Sequence, residues 1–264
     1  MGELRLRDWH HFLELTDLLD TAAPASSAYA FRGHAKAQWK LEPSLLRHIT
    51  TLALKENDAL ALETIALDHF RARAHLHMPP NAFTTTTDTL SWLTEMQHHG
   101  APTRLLDWTH SIYVAAYFAV VEHWDDDGAI WLVHIHSLNA KMAAKFGNKP
   151  LPTHDAALRE AFLKPGAPPT ITFVERKNKS DRMIAQQGGF TLSNNILTDH
   201  GRAMQDVLGP DPEPHILAQV IVPADQKPTF LRKLHRMNIT ASTLFPGLSG
   251  LAKSISELVS LGIK

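Results

Sequence analysis

The stretch 97–119, QHHGAPTRLLDWTHSIYVAAYFA, concentrates side chains that bind and move charge. Gln97, His98, His99, Thr103, Arg104, Asp107, Trp108 and Thr109 crowd around one glycine-ended helix, a strand-like TRLLDW and the start of a second helix. Packing alone does not call for so many polar groups, since each is costly when buried without a partner. A carboxylate at Asp107 can steady a positive centre, His98 or His99 can trade a proton near neutral pH, and the Trp108 indole can stack on a flat ring. A structural reading stands beside each of these. Asp107 or Thr109 can cap the following helix, and Tyr117, inside an apolar helix, fills core.

Two further segments carry similar groups. Arg32 ends a strand-like YAF and precedes Gly33 and His34. Its planar fork suits phosphate oxygens, and glycine lets backbone approach a ligand; the alternative is an ion pair with a carboxylate such as Asp107. In RMIAQQGGFTL, Arg182, Gln187 and Phe190 are the site candidates. The 17 histidines raise the question of metal. His134 and His136 would share one strand face, but no HExxH or comparable ligand spacing occurs, and no bound metal is expected. Asp107 with Glu175-Arg176-Lys177 imitates the Asp…Glu-x-Lys pattern of Mg²⁺-dependent nucleases, although such short matches are common.

These groups need elements to hold them. Apolar spacing predicts a helix over 8–20, a short one at SLLRHI, and longer ones over 57–76 and 88–99, the last capped by Thr84–Thr87 and stopped at Gly100. An apolar helix covers 112–124, and AIWLVHIH reads as a strand. Helices at 137–146, 155–163, 180–187, 225–237 and 249–261 are interspersed with strands at 171–175, GGFTL, ILAQVIVP and ITASTLF. Helices dominate the first half and strands the second, which favours an α+β fold with a mixed or antiparallel sheet over a doubly wound one. No internal domain boundary is evident, so residues 1–264 read as one domain, with 1–27 a helical lead-in.

Composition narrows the classes. The chain has 264 residues, 44% hydrophobic and 20% charged, with net charge −1 and no cysteine. That excludes wholesale disorder, a global basic field for nucleic acid, disulfide scaffolds and thiol chemistry. The start, MGELRLRDWHHFLEL, has no apolar signal region and no run is long enough to span a bilayer, so a cytoplasmic protein without membrane partners is expected.

FRGHAKAQWKLEPSLLR (31–47), QHHGAPTRLLDWTHSIYVAAYFA (97–119), RMIAQQGGFTL (182–192) and LFPGLSGLAKSI (244–255) together resemble the FRG domain family, from about residue 28 onward. The resemblance implies a bacterial or phage setting and ties to toxin and defence loci, with an antitoxin or defence partner. The order of Arg32, the Thr103–Thr109 junction and the 182–192 strand is also similar to that in ADP-ribosyltransferases. That likeness implies NAD as cofactor, held by Arg32, Gly33, His34, Gln97, Thr103, Arg104, Trp108, Thr109, Arg182 and Phe190, with Asp107, Gln187 and His98 as catalytic groups. The acceptor would be a nucleic acid or a protein. The strand departs from the transferase pattern, because Gly188 or Gly189 stands where a glutamate belongs. Glu175 is a further substitute for it. A non-catalytic nucleotide- or partner-binding module is therefore the alternative, and the metal-dependent nuclease the third reading.

Overall fold

In the computed structural model, which describes residues 2–22, 28–78, 88–145, 170–175, 180–209 and 212–262, a seven-stranded sheet organises the chain. Its strands are β1 (Gly2–Arg5), β2 (Tyr29–His34), β3 (Leu105–Thr109), β4 (Gly128–His134), β5 (Ile171–Val174), β6 (Gly188–Ser193) and β7 (Leu217–Val222). They lie in the order β1-β7-β4-β2-β3-β6-β5. Only β1–β7 is parallel; every other neighbouring pair is antiparallel. This is the mixed sheet of an α+β fold.

Side chains alternate across a strand, so each strand serves two faces. On one face Phe31, Ile130, Leu132, Val220 and Val222 pack under α1 (Trp9–Ala22) and α5 (Ile112–Val120). The same cluster takes in α9 (Lys227–Arg236) and the one-turn α10 (Ala241–Leu244). Further along that face, Leu105, Phe190 and Leu192 are covered by α3 (Glu56–Ala74), α4 (Thr89–His98) and Met183 of α7 (Asp181–Ala185). The opposite face buries Ala30, Leu106, Trp108, Trp131 and Val133 beneath α6 (Ile135–Lys145) and α8 (His200–Leu208). Helix α2 (Ser44–Thr51) joins α3 in a small satellite core with Ile196, and α11 (Leu248–Ser260) closes the described chain.

The sheet has one seam. Strand β2 pairs along all six residues with β4, and β3 along all five with β6, yet β2 meets β3 through the single pair Phe31–Thr109. Beyond that pair the two strands diverge, and the chemistry-bearing residues gather there.

Several sequence expectations are corrected. ITASTLF forms no strand: Thr240 and Thr243 build a reciprocal capping box, and a helical turn follows over Ala241–Leu244. β-branched propensity yields here to local side-chain capping. His136 belongs to α6 rather than to β4, because the strand ends at His134. Asp88, not the threonine run, caps α4, accepting from the Ser91 amide, while Thr84–Thr87 and the expected helix at 155–163 lie outside the described residues. Helix α5 ends at Val120, four residues earlier than its apolar run. Strand β1, hidden by its charged Glu3 and Arg5, was not expected at all.

Candidate functional site

The local chemistry of the 97–109 junction fixes its shape. Helix α4 ends with Gly100 at φ +81°, its amide bonded to Gln97 O and that of Ala101 to Met96 O. This double bond is a Schellman ending, which needs the left-handed conformation glycine adopts freely. The chain then turns back so that Gln97 reaches both the lead-in to the next strand and the strand's middle residue. Thr103 Oγ1 donates to Gln97 Oε1 (2.6 Å), and Gln97 Nε2 donates to Asp107 Oδ2 (2.8 Å). Thr103 is itself tied to α2 through Ser44 Oγ and the Leu45 amide. Asp107 is thus oriented, though its side chain remains 57% exposed.

Arg32 occupies the seam. Its Nη1 donates to the Asp107 carbonyl (2.7 Å), and Asp107 Oδ2 lies 3.9 Å away. Its Nε donates to His34 Nε2 (3.0 Å). With β2 unpaired to β3 at this level, the guanidinium satisfies a strand carbonyl that a ladder would otherwise hold. Among the described residues Nη2 makes no hydrogen bond. Burial lowers the Arg32 pKa, opposed by Asp107 and reinforced by Arg47.

His34 is buried, and its Nδ1–H donates to the Trp39 carbonyl (3.2 Å). Both ring nitrogens are engaged, so the donation expected toward a ligand goes to the protein itself. Desolvation, then the Arg32 charge, depress its pKa to about 3 and keep it neutral. Gly33 has a packing role as well. A Cβ there would lie 2.0 Å from Ala115 O and 2.7 Å from Ala119 N, so this glycine admits the backbone of α5 against the sheet.

Two depressions meet at this seam and share Arg32, Gly33 and Phe118. The smaller, about 240 Å³, brings together Arg32, Gly33, Gln97, His98, Asp107, Trp108, Thr109, Arg182 and Phe190 from four separate stretches of chain. Trp108 borders it but withholds its ring: the indole is buried on the far face, with Nε1 donating to Thr191 Oγ1 (2.9 Å). The aromatic lining is Phe31, Phe118 and Phe190 instead. Thr109 Oγ1 donates to Gln186 O (2.6 Å), fastening β3 to the turn before β6.

The larger depression, about 1010 Å³, runs from Trp39, Lys40 and Arg47 past His34 to Phe245 and Lys253. Its floor depends on Glu257, His235 and Lys227, which the sequence did not single out. Glu257 of α11 accepts from Tyr117 Oη (2.5 Å) and His235 Nε2 (2.9 Å), and this burial and pairing push the Tyr117 pKa upward. Lys227, wholly buried, donates to the carbonyls of Ala35, Glu122 and His123 and so pins two loops of the rim. These partners lie up to 192 residues apart, and no spacing rule signals them.

Other expected residues stand apart. The Arg104 guanidinium is buried against Glu63 (Nε to Oε1 2.7 Å), bracing α3 on β3. Gln187, at φ +48°, faces a different depression with His110 and Tyr113. Glu175 accepts from His110 Nε2 (2.8 Å), while Arg176 and Lys177 lie outside the described residues. Among the described residues no three His, Asp or Glu side chains converge as metal ligands. Nor is any helix there long and apolar enough to cross a membrane.

The fold and site define an α+β protein with a polar cleft at a sheet seam. Residues 27–128, which carry that cleft's β2 and β3 walls, match the family model of the FRG domain. No curated protein and no solved structure matches the chain.

Proposed function

We propose that the seam cleft binds a nucleotide, NAD in the leading reading, and that the protein transfers ADP-ribose to a nucleic-acid or protein acceptor. Arg32 carries this reading. It lines both depressions, is fixed by His34 and the Asp107 carbonyl, and keeps Nη2 without a partner among the described residues. A diphosphate at the seam would meet a donor already held in place, so little side-chain entropy is lost on binding. The two depressions then take the two halves of a dinucleotide, Trp39 beside one and Phe31, Phe118 and Phe190 beside the other.

Transfer breaks the bond between ribose C1′ and the nicotinamide nitrogen, which leaves with the bonding pair. The acceptor's lone pair forms the new bond to C1′, and its proton passes to a base, the role we give His98. Asp107, oriented by Gln97, supplies the negative charge that steadies the oxocarbenium-like centre. Toxin or phage-defence use, with a dedicated partner, is the biological setting that goes with this reading.

A non-catalytic nucleotide-binding module is the second reading, and one observation favours it. Glycine stands at both positions, 188 and 189, where a transferase would carry its glutamate, so neither supplies a carboxylate, and a Cβ on Gly189 would lie 2.3 Å from Phe173 Cζ. Calorimetry with NAD tests binding: Arg32→Gln should weaken it about 10- to 100-fold, as expected for losing charged hydrogen bonds. Unchanged affinity in a folded Arg32→Gln protein refutes the nucleotide assignment. Nicotinamide release then separates the readings. A transferase releases it and loses that activity in Asp107→Asn while still binding NAD; a binding module releases none.

A further inference from the structure

A further depression, of about 410 Å³, lies outside the two assigned to the nucleotide. The end of α4, the start of α7, the chain at Phe245 and one turn of α11 border it, contributing His98, Asp181, Arg182, Phe245 and Lys253. It adjoins both of the others. His98 and Arg182 also line the smaller depression at the seam, while Phe245 and Lys253 also line the larger one.

Two cations share one aromatic ring here. The Arg182 guanidinium lies 4.8 Å from the centre of the Phe245 ring and the Lys253 ammonium 4.7 Å. The two charges are therefore no more than about 10 Å apart. Among the described residues neither side chain makes an ion pair or a hydrogen bond. A ring fixes a cation in place without using its N–H groups, so the five donors of the guanidinium and the three of the ammonium stay open. Asp181 is the single carboxylate among the lining residues, which leaves an excess of positive charge even with His98 neutral. That excess is local, because the chain as a whole has net charge −1. The ring itself is anchored. A Cβ on Gly250 would lie 1.8 Å from Phe245 O, so this glycine seats α11 on that carbonyl, and Gln186 Nε2 donates to the adjacent Leu244 carbonyl (3.0 Å).

We propose that this depression is a phosphate subsite for the acceptor, and that the acceptor is a single-stranded nucleic acid. The acceptor's role rests on the transferase reading above; the binding of the strand does not. Arg182 and Lys253 together hold one phosphodiester, the planar fork through paired N–H donors and the ammonium as a point charge. The neighbouring nucleotide then enters the seam cleft past His98, the group given the acceptor's proton. Every nucleotide carries its own phosphate beside it, so one such contact positions any member of the strand. A protein acceptor would instead need an acidic residue at a set spacing from the modified one. A single strand is favoured because a base reaches a recessed cleft only after leaving its stack.

Fluorescence anisotropy tests the proposal, with dye-labelled DNA and RNA strands of about 12 nucleotides titrated with the full chain and no NAD present. At least one of the two strands should bind, more tightly than its duplex, and the tighter of them names the acceptor as DNA or RNA. Arg182→Gln with Lys253→Gln should weaken binding about 10-fold or more and lower the log–log salt slope by about 0.7, the share of one single-strand phosphate. Lys253→Gln alone changes an exposed side chain, so it should weaken binding about threefold with an unaltered thermal melt, and misfolding of the double variant cannot hide the answer. A parent that binds neither strand overturns the subsite, as does a folded double variant of unchanged affinity. So does a glutamate peptide that displaces the strand as well as unlabelled strand does, which would make the depression a site for an acidic protein. The calorimetry above fails separately from this titration. A chain that binds NAD and no strand loses this subsite, whereas one that binds the strand and no NAD loses the nucleotide reading while the strand site stands.

Discussion

Gly33→Ala adds one methyl group at the point where sheet and helix come closest. The new Cβ would sit 2.0 Å from Ala115 O, 2.7 Å from Ala119 N and 2.7 Å from Phe118 Cβ. Two of these are backbone atoms of α5, so no rotamer change relieves the contact. Restoring an ordinary separation requires α5 to retreat by more than about an ångström, opening voids around Ala115, Ala116 and Ala119, which are all fully buried. Overpacking of this kind costs about 1–3 kcal/mol, and a backbone clash belongs at the upper end. For a chain of this length about 3 kcal/mol lowers the melting temperature by roughly 6 °C. Circular dichroism melts and urea titration read the effect directly. The control is Gly188→Ala in the same sheet, whose Cβ would meet nothing nearer than 3.7 Å, an ordinary contact. If Gly33→Ala melts within 2 °C of the parent, or Gly188→Ala falls equally far, glycine at position 33 is not there to seat the helix.

Acid should destabilise the protein through two histidines. His34 and His200 both have pKa values depressed to about 3, chiefly by burial. Their contribution is complete above the unfolded value near 6.5 and is lost as pH falls toward 3. Unfolding then takes up close to two protons, a slope of about 3 kcal/mol per pH unit between pH 4 and 6. His34→Gln, which can also accept from Arg32 and donate to Trp39, should cut that slope by one proton in urea titrations; an unchanged slope contradicts the assignment. Lys227→Met removes the shared donor of three loop carbonyls and should cost about 3 kcal/mol by urea midpoint, since buried groups are left unpaired. A Met variant as stable as the parent would show that those carbonyls find other partners.

The helices and the central strands were legible because their signals are local. Apolar periodicity marked α1, α3 and α9, glycine marked the end of α4, and the polar density of 97–109 falls at the sheet seam. What escaped was set at a distance. Strand β1 has only four residues with two charges, and it exists because β7 offers it an edge. The stretch 239–245 has strand-like residues, yet Thr240 and Thr243 hydrogen-bond each other's backbone and settle it as a turn of helix. Arg104 looked like a ligand group by its neighbours in sequence, whereas its partner Glu63 lies 41 residues away. Likewise the side on which Trp108 points follows from strand register, which a single sequence does not encode plainly.

A sheet stitched at its middle by one residue pair is two blades rather than one plate. Four strands belong to the first and three to the second, and Phe31–Thr109 is the pivot between them. The ladder between the blades is a single rung, with Arg32 bonded across the gap to the Asp107 carbonyl, so it is the core shared by Ala30, Trp131 and Val133 with Leu106 and Trp108, more than the hydrogen-bonded ladder, that makes the two blades one body.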